Sequence, residues 1–128
     1  MIQISDLETT NSIDQNKFQN AIDLFNSTNW YLAHDAFEEL WYETQGLERI
    51  TIQALLQIAV AQVHLETGNR NGATILFGEA LGRLRKGRTS NLGLDIDNLT
   101  ECVKQRLNLL HQENDPDLFT VPFLFRLT

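Results

Sequence analysis

Cysteine is all but missing from these 128 residues. The single thiol, Cys102, excludes an intrachain disulfide and any paired-cysteine metal knuckle. It agrees with a reducing compartment. Proline is nearly as scarce: Pro116 and Pro122 are the only two, so everything before them is free to be helical. Apolar runs are short, and none approaches the ~20 residues of a membrane span. The opening MIQISDLETTNS carries acids where a secretory leader has a basic end. Positive charge is in deficit, and a net charge of −7 disfavours non-specific binding to nucleic acid. The expectation is a cytoplasmic protein with no place in the membrane. The signatures of phosphate loops, dinucleotide folds, nucleophile elbows and HExxH metal helices are all absent.

What remains suits one domain, residues 1–128, with enough apolar content for an ordinary core. Residues 1–11 read as a loose polar lead-in. Ser12 and Gln15 have the spacing of a capping box, opening a helix over 13–26 with Phe18, Ala21, Ile22 and Phe25 on its apolar face. Asn29 is placed to cap a second helix over 30–44, with Trp30, Ala33, Phe37, Leu40 and Trp41 inward. Asn69 can cap a fourth helix, which runs through Arg85. Residues 87–94, GRTSNLGL, form a linker, and Asp95 opens a fifth helix to about Gln112. Residues 114–128 hold Leu118, Phe119, Val121, Phe123, Leu124, Phe125 and Leu127, too apolar for a free tail. The two prolines keep that tail from regular helix. It should run extended across a helical groove, or meet another subunit. The fold class is therefore all-α: a compact bundle of about five helices around a central buried helix, with an extended apolar C-terminal tail.

The central helix spans residues 47–67. On a helical wheel Gln53, Gln57 and His64 fall within about 40° of one another, and Thr51, Gln62 and Glu66 form a second polar strip. Apolar residues fill both intervals: Ile52, Leu56, Ala59, Val60 and Val63 in one, Ile50, Ile58, Ala61 and Leu65 in the other. Two apolar stripes mean packing on two sides. One polar strip can face water. The Gln53/Gln57/His64 strip can point inward, where each group needs a partner. On the second helix, His34 and Glu38 sit four residues apart at the edge of the apolar face, beside Trp41.

Three chemistries fit that constellation. It is a polar network that fixes helix register. Or His34, Glu38 and His64 converge on a divalent metal, in the manner of helical bundles, making a metal-binding protein or a metal-dependent hydrolase, with Gln53 and Gln57 orienting the ligands. Or His34 beside Glu38 is a general base, for which no nucleophile is evident. Arg83, Arg85, Lys86 and Arg88 cluster at the end of the fourth helix, where cations suit the helix dipole; an anionic partner is the alternative reading. Cys102 reads as a core filler.

The run AHDAFEELW (33–41), followed by QALLQIAVAQVHLETGNRNGA (53–73), resembles the bacterial and plastid family catalogued as domain of unknown function 309. The matching positions are His34, Asp35, Glu38, Trp41, Gln53, Gln57, His64, Gly68, Asn69, Gly72 and Ala73, within residues 18–86. Asp35 stands where Glu is common, and Ala54 where Gly is usual. The resemblance implies an all-α fold and no particular activity. The reading is a small helical binding or scaffold protein, function unassigned, that engages a protein partner or itself rather than nucleic acid.

Overall fold

The computed structural model describes residues 13–85, 87 and 89–127. The lead-in, Ser12, Lys86 and Arg88 lie outside the described residues. Five helices follow one another: α1 (Gln15–Asn26), α2 (Trp30–Glu43), α3 (Gly46–Glu66), α4 (Arg70–Arg83) and α5 (Ile96–His111), then a 3-10 turn at Pro116–Leu118. The fold is an all-α bundle. Connections of two or three residues join α1 through α4, so successive helices fold back on each other. Each packs on the next in chain order, and α5 closes against α4.

The caps explain where the helices start. Asp95 accepts from the Asn98 amide at 3.0 Å, and Asn69 accepts from the Gly72 amide at 2.9 Å. At α1 the cap is Asp14, whose carboxylate accepts from the amides of Asn16 and Lys17; the Gln15 side chain turns back to the Ile13 carbonyl. Asn29 occupies the N-cap position of α2 but makes no capping bond there. Its amide donates to the Ser27 hydroxyl at 2.9 Å instead, within a tight turn that holds Thr28 at φ 64°.

Apolar spacing then builds the core. Phe18, Phe25, Trp30 and Phe37 are buried between α1 and α2. They meet edge to face, Phe25 with Trp30 at 4.9 Å and Phe18 with Phe37 at 6.4 Å, each pair adding about 0.5–1.5 kcal/mol beyond burial. On α3, Ile52, Ala54, Leu55, Ile58, Ala59 and Ala61 have no exposure at all. Small residues there let α2 and α4 approach closely.

The two polar strips of α3 do not divide as the wheel suggests. Thr51 and Gln62, expected to be able to face water, are buried. The connection from α4 to α5, and α5 itself, cover that side. The Thr51 hydroxyl donates to the Ser90 carbonyl, and Gln62 accepts from the Arg106 guanidinium at 3.0 Å. Conversely Leu56, Val60 and Val63 are only half-buried. A wheel counts faces on one helix; it does not see which of them a distant segment will cover.

The C-terminal segment is a strap. Pro116 opens the 3-10 turn, a position that needs no amide hydrogen. Residues after Leu118 then run without helix back to the start of the fold. Asn26 of α1 grips them through both ends of its amide: it donates to the Leu124 carbonyl at 3.0 Å and accepts from the Leu124 amide at 2.8 Å. The Asp95 amide donates to the Phe125 carbonyl and the Leu127 amide to the Gly93 carbonyl, both at 2.8 Å. Arg106, fully buried, donates to the carbonyls of Pro116 and Thr120 at 3.2 and 3.3 Å, and to the Asp117 carboxylate at 3.3 Å. One guanidinium thus ties α3, α5 and the strap. No helix among the described residues is long and apolar enough to cross a membrane.

Candidate functional site

Ala33, Phe37 and Leu40 rotate one face of α2 into the core, which leaves His34 and Glu38 half-buried on its border. The His34 ring lies between two carboxylates of its own helix: Nδ1 is 3.2 Å from Asp35 and Nε2 is 3.5 Å from Glu38. One turn on, the Arg49 guanidinium from α3 lies 3.8 Å over the Trp41 ring. This cation–π contact fastens the α2–α3 corner.

Gln57 is buried and faces α4. Its amide donates to the Glu79 carboxylate at 3.2 Å and its carbonyl accepts from Arg83 Nε at 3.0 Å. Gln53, one turn earlier, is half-buried. At the other end of α3, His64 Nδ1 is 3.2 Å from the Asn69 amide nitrogen, while the Asn69 carbonyl oxygen caps α4. Gly72 has to be small for this arrangement: a Cβ there would sit 2.7 Å from Asn69 Nδ2. Gly68, at φ 79°, makes the reversal between α3 and α4. The family-motif residues Gly68, Asn69 and Gly72, together with His64, therefore form one locked corner.

The structure does not assemble His34, Glu38 and His64 as a metal set. Among the described residues no group of three or more His, Cys, Asp or Glu is placed to hold a metal ion. The reason is axial. The α2–α3 turn lies at Thr44 and Gln45, and at 1.5 Å per residue His64 lies about 14 Å farther from it along the helix pair than His34 does. His64 also turns to the α3–α4 corner rather than to α2. The polar cluster resolves into three separate ties: His34–Glu38 within α2, Gln57 between α3 and α4, and His64–Asn69 at a turn.

Arg106 escaped sequence reasoning, although a signal was present. It stands three residues after Val103 and four before Leu110, a charge on the apolar stripe of α5. Asn26 carried no such signal, because its partner lies 98 residues away. Cys102 is buried, as a core filler would be, and its Sγ donates to the Thr120 carbonyl at 3.2 Å. Burial pushes its thiol pKa up, opposed by the Thr120 contact and by the charge of Arg106.

Fold and corner together define a small all-α protein built on antiparallel helix pairs with a locked His-Asn-Gly turn. Residues 18–76 match the model of the family described as Domain of unknown function (DUF309), in agreement with the resemblance carried by residues 33–41 and 53–73. No curated protein and no solved structure matches the chain.

Proposed function

We propose that the chain is a small cytoplasmic interaction module, and that it pairs with a second copy of itself through the outward edge of the strap. The carrying observation is an alternation. Phe119, Val121, Phe123, Phe125 and Leu127 are each 38–51% exposed; over 121–125 exposure alternates strictly, with Pro122 and Leu124 buried, while Thr120 and Arg126 at the ends are exposed. Extended backbone sends alternate side chains to opposite faces, so the strap keeps its inner face for the core and turns a row of apolar side chains to the outside. Arg106, Asn26 and the Gly93–Asp95 backbone hold it in that attitude. A ridge fixed in advance loses little freedom on docking.

The occupant follows from shape and area. Beside the ridge, between the strap and α5, lies a groove of about 300 Å³, with Cys102, Phe119, Val121 and Phe123 in its walls and Glu101 at its rim. Ridge and groove lie on one face, which a two-fold interface requires: each copy supplies what the other receives. At 150–250 Å² per large side chain, the row presents roughly 450 Å², already the size of the largest patch on a typical monomer. Two such patches bury about 900 Å² when joined, at the small end of specific interfaces, which suits a weak, reversible dimer. The single cysteine, Cys102, agrees with a reducing compartment. The engagement of Gln57 between α3 and α4 and of His64 at the α3–α4 corner supports a structural role for these groups.

Sedimentation velocity of the wild type and of a Phe123→Ser, Phe125→Ser double variant tests the proposal. Both positions are exposed, so the fold should survive, as circular dichroism would verify. A wild-type dimer that becomes a monomer supports it; a monomeric wild type, or a variant that stays dimeric, overturns it.

A further inference from the structure

We infer that the hollow between the amino-terminal part of α3 and the carboxyl end of α4 binds a small phosphate-bearing ligand. The hollow has a volume of about 360 Å³ and is lined by Ile50, Gly82, Arg83 and Arg85. Pockets of this size hold small molecules.

The bland role for a cation in the last turn of a helix is to face that helix's own final carbonyls. Arg83 does not do so. Its Nε donates across to Gln57 on α3 at 3.0 Å. Gln57 is fixed in turn by donating to Glu79 at 3.2 Å. Glu79 stands one turn before Arg83 and would be its ordinary ion-pair partner, but its carboxylate is engaged by Gln57 and forms no salt bridge with Arg83. The guanidinium is therefore held by one edge, and the two terminal nitrogens remain as a fork, the geometry that grips an oxyanion through two parallel bonds. Arg85 lines the same hollow. Among the described residues neither arginine is in an ion pair.

The walls fit the class of ligand. Gly82 brings no side chain, and a Cβ there would meet nothing within 4 Å, so the space above it is open. Ile50 supplies an apolar wall for the non-ionic part of a phosphate ester. Two guanidiniums match a doubly charged phosphate or diphosphate better than a single carboxylate. In this arrangement Arg83 and Arg85 contact the anion and Gln57 is a positioning residue.

The test is calorimetric titration with pyrophosphate in a low-salt, phosphate-free buffer, with ¹H–¹⁵N NMR on the same samples. The expected result is saturable binding at one site per chain, with amide shifts at Ile50, Gly82, Arg83 and Arg85. Arg85→Ala, which is exposed, and Arg83→Lys, which keeps the charge but loses the fork, should each weaken binding about tenfold or more, as expected for a lost charge-assisted bond. Gly82→Leu fills the hollow from its open side and should abolish binding while the melting temperature holds. Gln57→Leu keeps both charges and should still weaken binding. Absence of saturable binding, shifts that map elsewhere, or wild-type affinity in Arg83→Lys or Arg85→Ala would overturn the inference; undiminished affinity in Arg83→Lys would mean that pyrophosphate senses surface charge only.

Discussion

The front and the back of this chain are held together by different physics. From α1 to α3 the cohesion is apolar: Phe18, Phe25, Trp30 and Phe37 interlock, and the α3 alanines let helices close on one another. In the C-terminal strap it is polar. The strap contributes few buried side chains, Pro116, Pro122 and Leu124, and is fastened by directed bonds to Arg106, Asn26 and the Gly93–Asp95 backbone. The lesson is that one half is robust to small adjustments and the other depends on single atoms. An apolar cluster can repack; a buried guanidinium without its acceptors, or acceptors without their guanidinium, cannot.

Substitutions can break that contrast, and their expected effects fall in order. Phe37→Ala, in the aromatic core, should cost about 3–5 kcal/mol, with urea unfolding still cooperative. Arg106→Ala should cost about 3 kcal/mol, because Gln62 and the Pro116 and Thr120 carbonyls lose a charged donor. That corresponds to a fall in melting temperature of about 10 °C. Its signature differs from that of Phe37→Ala: protease sensitivity should appear first in the strap. Asn26→Ala should cost about 1–2 kcal/mol, since Leu124 loses both of its partners; equilibrium denaturation reads this directly. If Asn26→Ala proved as costly as Phe37→Ala, the two halves would not be distinct.

Two smaller effects sharpen the picture. Gly78 on α4 has open space around a would-be Cβ, so Gly78→Ala should stabilise by about 0.5–1 kcal/mol. Gly72→Ala on the same helix should give no such gain, because the new methyl displaces Asn69 from its cap and from His64. The smallest effect concerns pH. Burial raises the Cys102 pKa in the folded state. Its contribution to stability is therefore full below the ordinary thiol pKa and is lost as pH rises through the folded value. Alkylation of Cys102 near pH 8 should be slower than that of a free thiol, and Cys102→Ala should flatten the alkaline fall in melting temperature.

The two halves also differ in how far they could be read in advance. Helix order, the caps at Asn69 and Asp95 and the inward faces of α1 and α2 were legible, because each is written in residues three or four apart. The burial of Thr51 and Gln62 was not, since the segment that covers them comes from beyond α4. The metal reading of His34, Glu38 and His64 failed for the same reason: wheel positions carry azimuth, while the distance from a turn decides which residues meet. His64, Asn69 and Gly72 were legible as a motif, yet their meaning, a cap that leaves no room for a methyl group, needed coordinates. Arg106 was visible as a charge on an apolar stripe, but its acceptors are strap carbonyls whose position no local pattern encodes.

The strap must be fixed with its apolar row outward for the ridge to dock. Amide hydrogen exchange at Leu124, Leu127 and Asp95 tests this directly. All three should be protected in the wild type, and protection at Leu124 should drop in Asn26→Ala while the α3 amides stay slow. Exchange at the unprotected rate for Leu124 and Leu127 in the wild type would mean that the strap is unfastened, and the proposed docking ridge would lose its basis.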